Sequence, residues 1–361
     1  MQSSTIFFVA LNYIIDQSKY FMNVGIVGLG KMGLLHTAIL NTFDDVNVVS
    51  ISEKEKLITK YINDAFPKTK IYENFKDMFS NEKLDLVFIT TPTLSHFQIM
   101  NSCIEHGINF FVEKPLVINY EETKNICKLL QQKKLIMAVG YNLRFVDTFS
   151  KTKELLEKKI LGKITDISSS ILSSQVLVKN SGWRLNKKMS GGGVLLELGC
   201  HLIDLLLWYF GPISKVEGKV SSIYSNVEDS AEMKFTTNDK VNGTLSASWS
   251  LKGYRIPEIT INIKGEYGSL KVNQDFIELN FKSENQKFKS GKTMIYKQEL
   301  EKGVSFDVGG PDYTKEDRHV IDCIKHNRTP LVDISDGANV QSVIQSMYAA
   351  SSKNNTQLVE Y

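Results

Sequence analysis

The chain has 361 residues, which is long for one typical domain and sufficient for two. Hydrophobic residues make up 42% and charged residues 23%, as in an ordinary globular protein, and a net charge of +3 favours neither a nucleic-acid-binding nor a membrane-binding surface. The four cysteines form no C-x-x-C pair, so we predict reduced thiols and no metal site.

Residues 1–21 precede the first predicted strand, and we interpret them as an extension. The apolar run at 5–11 follows no Lys or Arg and is too short to span a bilayer, so it makes no convincing signal peptide. Met22 is a candidate for the working initiator, and a small extra helix is the alternative. We expect a cytoplasmic protein.

The stretch 24–33 is an apolar run that leads directly into Gly-x-Gly-x-x-Gly, with apolar residues at helical spacing after it. Gly28 allows a sharp turn, Gly30 lets the backbone approach a pyrophosphate, and Gly33 lets helix and strand pack closely. The first helical residues, Lys31 and Met32, present free N–H groups and the positive helix end to the phosphates. The pattern predicts a dinucleotide site, and the alternative is the same turn without a ligand.

An acidic residue stands where the ribose of such a ligand is expected. Glu53 follows a second predicted strand at 46–52, about 20 residues after Gly33. Its carboxylate would accept hydrogen bonds from the adenosine ribose and repel a 2′-phosphate, which favours NAD. Lys54 and Lys56 follow closely, so NADP stays an alternative.

Strand and helix patterns alternate from residue 23 to about residue 146. Further buried strands are predicted at 86–90, 109–113 and 136–140, with helices at 97–106 and 120–133. Repeated βα units of this length predict a doubly wound parallel sheet. We therefore assign residues 22–146 to a Rossmann domain that binds NAD(P).

The pattern of the sequence changes from alternating strands and helices to mainly β-prone segments after a predicted crossover helix at 147–161. Turn signals separate β-prone segments from Ser214 onward, and helices are predicted at 194–210, 313–327 and 336–351. We expect residues 147–361 to form an α+β domain for substrate binding and oligomerisation, built on a mainly antiparallel sheet. Its last helices pack on that sheet or back on the first domain.

Ligands of doubly wound sheets bind at the carboxyl ends of the parallel strands. The polar or constrained residues of the loops expected there are Thr91, Pro92 and His96, then Glu113 and Lys114, then Asn142 and Arg144. Pro115 keeps Lys114 extended, which holds it over the crevice. A solvated loop lysine is the alternative for Lys114.

A second group of ionisable residues lies on the helix at 194–210, after three consecutive glycines. At about 100° per residue, Glu197, His201 and Asp204 share one stripe of an otherwise apolar helix. Such a helix is buried, so the stripe needs partners and predicts a site. The alternative is a core network in which Asp204 orients His201. Trp183 and Arg184 lie upstream in a loop, where Arg184 is either a surface charge or a substrate ligand.

Together these motifs resemble the glucose-fructose oxidoreductase, inositol dehydrogenase and MocA (Gfo/Idh/MocA) family. The matching residues, in the family's order across roughly residues 23 to 210, are Gly28, Gly30, Gly33, Thr91, Pro92, His96, Glu113, Lys114, Pro115, Asn142, Arg144, Trp183, Arg184, the glycines 191–193, Glu197, His201 and Asp204. The resemblance implies an NAD(P)-dependent oxidoreductase acting on a sugar, an inositol or a nucleotide sugar. It also implies an open-faced sheet in the second domain and a homodimer or homotetramer.

The resemblance also assigns roles to individual residues. Lys114 would lie near the nicotinamide and the reacting hydroxyl, in a Lys–Pro peptide that is often cis, and Glu197 and His201 replace the Asp and His of many members. We expect cofactor contacts from Gly28, Gly30, Lys31, Met32, Gly33, Glu53, Thr91, Pro92, His96, Glu113 and Lys114. We expect substrate contacts from Lys114, Asn142, Arg144, Trp183, Arg184, Glu197 and His201.

The expected reaction is hydride transfer from a secondary carbinol to C4 of the nicotinamide. His201 is the first candidate for the general base, since its reference pKa of about 6.5 suits proton removal at neutral pH. Lys114 would hydrogen-bond the same oxygen, or act as the base itself if burial lowers its pKa. Glu197 would position hydroxyls or tune His201. The rival hypotheses are NAD-dependent glycoside hydrolysis and a non-catalytic NAD-binding sensor.

Overall fold

A six-stranded parallel sheet forms the first part of the chain. The computed structural model describes residues 21–55, 67–131, 133–178, 182–284 and 288–361, so the extension at 1–20 and Lys56 lie outside the described residues. The strands are β1 (Met22–Val27), β2 (Val46–Ser52), β3 (Lys70–Tyr72), β4 (Leu86–Ile89), β5 (Asn109–Val112) and β6 (Met137–Val139). Their order, β3-β2-β1-β4-β5-β6, is that of a Rossmann sheet, which confirms the predicted fold of this part.

Among the described residues, the helices of this part are α1 (Lys31–Leu40), α2 (Phe75–Asn81), α3 (His96–His106) and α4 (Tyr120–Leu130). The central strands β1, β4 and β5 are buried almost throughout, as their continuous apolar runs predict. The sequence pattern did not predict β3 or α2, which are short and contain several polar residues.

A nine-stranded sheet forms the second part. Its strands are β7 (Ile164–Leu172), β8 (Ile213–Ser221), β9 (Ser230–Thr237), β10 (Asn242–Ser248), β11 (Glu258–Gly265), β12 (Gly268–Val272), β13 (Phe276–Phe281), β14 (Gly291–Tyr296) and β15 (Gln357–Leu358). The order is β14-β13-β12-β11-β7-β10-β9-β8-β15. Its pairs are antiparallel except β10 with β7, so the sheet is mainly antiparallel, as predicted.

The helices of the second part are α5 (Asp147–Glu157), α6 (Gln175–Val178), α7 (Lys187–Ser190), α8 (Cys200–Phe210), α9 (Lys297–Leu300), α10 (Pro311–Lys325) and α11 (Ile334–Lys353). The uniform helix predicted at 194–210 is wrong in its first part, because Leu195–Gly199 is a π-helical turn that leads into α8. Within the described residues, only Lys187–Phe210 is long and apolar enough to cross a membrane, and 72% of its most apolar window is buried inside the protein.

Helix α10 packs back on the first sheet. Its residues Val320 and Ile321 are buried in one cluster with Met22, Val24 and Ile26 of β1. Helix α11 instead packs against β8, α8 and α4, and Asp333 caps its first turn. Residues far apart in sequence therefore complete the core of the first sheet. A domain boundary at 146/147 stays a prediction.

Candidate active site

The glycine loop has the geometry that its sequence predicts. Gly28 has φ +91°, in the left-handed region that favours glycine. A Cβ on Gly33 would lie 2.1 Å from the Gly28 carbonyl oxygen, so α1 packs against the turn at a distance that only glycine allows. A Cβ on Gly30 would meet no described atom within 4 Å, which leaves the space above the loop open.

The open loop fits the diphosphate half of a dinucleotide. Lys31 and Met32 begin α1 directly after Gly30. Because Gly30 has no side chain that could cap the helix, the first N–H groups are available to a ligand. Glu53 lies at the rim of the loop, where its Oε2 accepts a hydrogen bond from the Leu29 N–H at 2.5 Å. A carboxylate beside this loop is suited to a ribose hydroxyl.

The loop after β4 lies against the glycine turn. Thr91 approaches Gly28 so closely that a Cβ there would lie 2.7 Å from Thr91 Cγ2, and Pro92 starts the following 3-10 turn. The Thr91 hydroxyl is buried and has no hydrogen-bond partner among the described residues. These two residues are therefore next to the predicted cofactor position.

His96 has a different environment from the one its predicted role requires. Its side chain is fully enclosed, Nε2 lies 2.9 Å from the Thr91 carbonyl oxygen, and Nδ1 lies 3.0 Å from that of Pro115. The ring nitrogens are engaged by the backbone, so His96 holds two loops together instead of contacting a cofactor. Burial lowers the pKa of His96 despite these contacts.

Lys114 connects the carboxyl edge of the first sheet to the ionisable residues at 197–204. The Lys114–Pro115 peptide bond is cis, and Lys114 Nζ donates a hydrogen bond to the Glu197 carbonyl oxygen at 2.8 Å. The same nitrogen lies 3.8 Å from Glu197 Oε2. The two motifs, 83 positions apart in sequence, therefore meet in one crevice.

Glu197 is buried with one carboxylate oxygen engaged and one without a partner. Arg184 Nε donates to Glu197 Oε2 at 3.0 Å, while Oε1 has no hydrogen-bond partner within the described parts of the chain. The Arg184 guanidinium also stacks over the Trp183 ring, 4.8 Å from its centroid. Arg184 is thus a member of this cluster, although part of its side chain is exposed.

His201 lies on α8 one turn beyond Glu197. Its Nδ1 is buried without a partner among the described residues, and its ring meets the Tyr141 ring edge-on at 6.0 Å between centroids. Burial, aided by the charge of Lys114, lowers the pKa of His201 well below its ordinary value. The imidazole is therefore neutral at neutral pH.

The alternative in which Asp204 orients His201 is wrong, and so is the predicted substrate contact of Arg144. Arg144 is 3% exposed, and it holds Asp204 through two hydrogen bonds, Nε to Oδ2 at 3.0 Å and Nη2 to Oδ1 at 2.7 Å. Asp336 accepts a second hydrogen bond from Nη2, and the Leu331 carbonyl oxygen accepts one from Nη1. Burial raises the pKa of Asp204 to about 6 although Arg144 opposes it. A guanidinium engaged in this way cannot bind substrate.

Asn142 also has a protein partner. Its Nδ2 donates to Asp312 Oδ2 at 2.6 Å, and the residue is nearly buried. Burial raises the pKa of Asp312. Asn142 therefore forms part of the wall between the first sheet and α10.

Several ionisable residues near the site were missed in the sequence. They are His36 on α1 and Asp312, Tyr313, Glu316 and Asp317 on α10. His36 Nδ1 lies 2.8 Å from Asp317 Oδ1, and its Nε2 lies 3.2 Å from Glu113 Oε1. Two signals for them were available in the sequence. One is a histidine, His36, on the apolar helix three residues after Gly33, and the other is the acidic pair Glu316 and Asp317 inside an amphipathic helix.

Comparisons with known proteins agree with this geometry. Residues 22–141 match the model described as "Oxidoreductase family, NAD-binding Rossmann fold", and residues 149–271 match the "GFO/IDH/MocA C-terminal domain". The scyllo-inositol 2-dehydrogenase (NADP(+)) of Bacillus subtilis is 22% identical over 94% of this chain and 96% of its own. The myo-inositol 2-dehydrogenase of Thermotoga maritima is 26% identical over 53% and 55%.

Solved structures share the whole fold. A levoglucosan dehydrogenase in complex with NADH and levoglucosan superposes with a TM-score of 0.85 at 22% identity, covering 94% of this chain and all of its own. The family match in both parts, with a Rossmann sheet and an open glycine loop, gives one conclusion. The chain belongs to the GFO/IDH/MocA family of oxidoreductases, with an NAD-binding Rossmann domain followed by the C-terminal domain of that family.

Proposed function

We propose that the protein is an NAD(P)-dependent dehydrogenase that oxidises a secondary hydroxyl of a sugar, an inositol or a nucleotide sugar. The observation that carries this proposal is the contact of Lys114 Nζ with Glu197 across the crevice, one helical turn from the neutral His201. Relatives named as inositol and levoglucosan dehydrogenases support the substrate class.

The nicotinamide, when bound, supplies the hydride acceptor at its C4 atom. We assign the cofactor to the glycine loop, with Glu53 on the ribose and Thr91 and Pro92 beside the ring. His201 would take the hydroxyl proton on Nε2, because its Nδ1 is enclosed and its lowered pKa leaves the ring neutral. Lys114 would donate a hydrogen bond to the same oxygen and stabilise its developing negative charge.

The remaining residues of the crevice would bind and orient the substrate. The partnerless Oε1 of Glu197 can accept a hydrogen bond from a substrate hydroxyl. Arg184 fixes the other oxygen of that carboxylate, and the Trp183 ring offers an apolar wall. Sugars and polyols present such alternating hydroxyl and C–H surfaces.

The test is the formation of NADH or NADPH by purified protein with a panel of sugars, inositols and nucleotide sugars. We expect turnover with one class, and a loss of about 100-fold or more in His201→Ala and Lys114→Ala. His326→Ala and Lys292→Ala, on the surface, are the matched controls. Cofactor binding without turnover would favour the sensor, and release of an aglycone without net NADH would favour the hydrolase.

We also propose a cytoplasmic homodimer or homotetramer that associates through the second sheet. Residues of β9 and β10 alternate between buried and accessible positions, so one face of this sheet carries polar side chains such as Glu232, Lys234 and Thr244. Light scattering of the purified protein tests the association. A monomer at micromolar concentration would contradict it.

A further inference from the structure

A buried chain of ionisable side chains lies behind the glycine loop. His36, on α1, contacts both carboxylate oxygens of Asp317 through Nδ1, at 2.8 and 3.0 Å. Its other nitrogen, Nε2, lies 3.2 Å from Glu113 Oε1, and Glu113 Oε2 accepts the Lys114 backbone N–H at 3.1 Å. The histidine therefore links a carboxylate of α10 to the carboxylate that precedes Lys114.

These groups differ in their access to the crevice. The side chains of His36 and Asp317 are 0% exposed, whereas 11% of the Glu113 side chain is accessible. Glu113 follows β5 at the carboxyl edge of the sheet, where the cofactor of a Rossmann domain binds. Glu113 is thus the member of the chain that presents its charge to the crevice.

The partners of Glu113 determine its charge. Burial alone would raise the pKa of Glu113, but the hydrogen bond and charge of His36, with Lys114 and His96, lower it below its ordinary value. Burial likewise opposes the charged form of His36, yet Asp317 and Glu113 raise its pKa well above the ordinary value. The histidine is therefore an imidazolium between two carboxylates.

A neighbouring acid with a raised pKa provides a comparison. Glu316 is buried, its carboxyl oxygens have no partner among the described residues, and burial together with Glu113 raises its pKa well above the ordinary value. Asp312 and Tyr313 also face this region. The chain Asp317–His36–Glu113 then carries one net negative charge.

We propose that Asp317 and His36 are positioning residues that hold Glu113 as a carboxylate, and that this carboxylate shifts binding toward the oxidised dinucleotide, against the opposing charge of Lys114. The inference rests on the proposed function. The oxidised ring carries a positive charge that the reduced ring lacks, so a fixed negative charge at the crevice favours the oxidised form. For an assumed separation of roughly 10 Å and an effective dielectric constant of about 20, one unit charge changes the ratio of the two affinities by about tenfold.

The experiment measures Kd for NAD⁺ and for NADH on the same protein preparation, between about pH 6 and about pH 9, because the raised pKa of His36 and the lowered pKa of Glu113 favour the charged form of each. The readout is the ratio of the two Kd values, which an unfolded fraction does not change because unfolded protein binds neither form. If NADP is the better cofactor, the same ratio is measured with NADP⁺ and NADPH.

Three variants separate the roles. Glu113→Gln should lower the preference for the oxidised form about tenfold at every pH, because the charge is lost. Asp317→Asn should lower it at pH 6 and restore it toward pH 9, because Glu113 without its charged partner ionises only at higher pH. Glu316→Gln, the matched control on the same helix, should leave the ratio unchanged, because the raised pKa of Glu316 favours the neutral form that Gln resembles.

The outcomes that overturn the inference are distinct from failure of the proposed function. An unchanged ratio in Glu113→Gln, with both forms bound, would refute the charge selection and leave the dehydrogenase proposal intact. A wild-type pH profile in Asp317→Asn would refute the positioning role. Absence of binding of every nicotinamide dinucleotide would refute the proposed function and this inference with it.

Discussion

The charge state of His201 gives a pH dependence whose direction can be stated in advance. Burial and Lys114 lower the pKa of this imidazole below its ordinary value of about 6.5, so the base form is present throughout the neutral range. We expect kcat/KM for oxidation to be level above pH 6.5 and to decline only at lower pH, as the ring is protonated. An acid limb centred above pH 6.5 would exclude His201 as the base.

Lys114→Met tests the cause of that shift. Removing the ammonium removes one of the two influences that lower the pKa of His201, so the acid limb should move up toward pH 6.5 while the overall rate falls. Lys292→Met, an exposed change on β14, should leave the limb in place. The pH profile of kcat/KM is the measurement, and a limb that does not move would show that Lys114 does not influence His201.

Cofactor choice depends on Glu53. We expect Glu53→Ala to weaken NAD binding about tenfold, because a charged hydrogen bond to the ribose is lost, and to strengthen NADP binding, because repulsion of the 2′-phosphate is relieved. Glu55→Ala, two residues further on and exposed, is the control. The Kd values of the two dinucleotides decide this. Unchanged discrimination would remove Glu53 from the ribose site.

Residue types at the site were predictable where a local motif defines them. The Gly28 turn and the meeting of Lys114 with Glu197 agree with their motifs, while the roles of these residues and of Glu53 stay predictions. Arg144 was assigned wrongly because its neutralising partners, Asp204 and Asp336, lie 60 and 192 positions away. No local pattern reports such partners, so an arginine near a predicted site looks free in the sequence although the fold engages it.

At the scale of the element, the π-helical turn before α8 is what connects the helix to Lys114. Insertion of such a turn disturbs the regular hydrogen bonding of a helix and leaves a carbonyl oxygen for another donor. Here the Glu197 carbonyl, inside Leu195–Gly199, accepts from Lys114 Nζ and from Cys200 Sγ. Hydrophobic periodicity predicted the α-helix correctly from Cys200 onward and could not show this turn, because most residues around it are apolar.

The buried ion pair of Arg144 with Asp204 of α8 predicts a loss of stability when the arginine is replaced. Arg144→Met leaves Asp204 buried without its cation, so we expect the free energy of unfolding to fall by about 3–5 kcal/mol. Arg318→Met, which breaks partly exposed pairs with Asp45 and Asp322, should cost about 0–1 kcal/mol. Denaturant unfolding compares the two. Equal losses of unfolding free energy in the two variants would contradict a stabilising role of the Arg144–Asp204 pair.

At the scale of the whole molecule, the two sheets were predictable to different extents. The parallel sheet follows from repeated βα units, whose connectivity is nearly fixed by physical rules. The second sheet was correctly predicted to be mainly antiparallel. The placement of β7 between β11 and the parallel β10 was not predicted. Strand β14 (Gly291–Tyr296) was missed because it is largely accessible and lacks a clear alternation.

Packing of α10 on the first sheet predicts how a fragment behaves. A fragment of residues 22–146 lacks Val320 and Ile321, and it would expose the apolar surface that they cover. We expect it to bind a hydrophobic dye and to bind dinucleotide poorly. Fusion of residues 311–328 to its C-terminus should abolish the dye binding and restore dinucleotide binding. A fragment that folds and binds without the fusion would show that α10 is dispensable.

The same packing has a consequence for synthesis in the cell. All six strands of the first sheet have been translated by Val139, but α10 begins only at Pro311, about 170 residues later. At roughly 5–20 residues per second, the ribosome needs on the order of 10–30 s to reach it. During that interval the nascent sheet lacks its covering helix, and His36 lacks Asp317. The first domain to be made is therefore completed only near the end of synthesis.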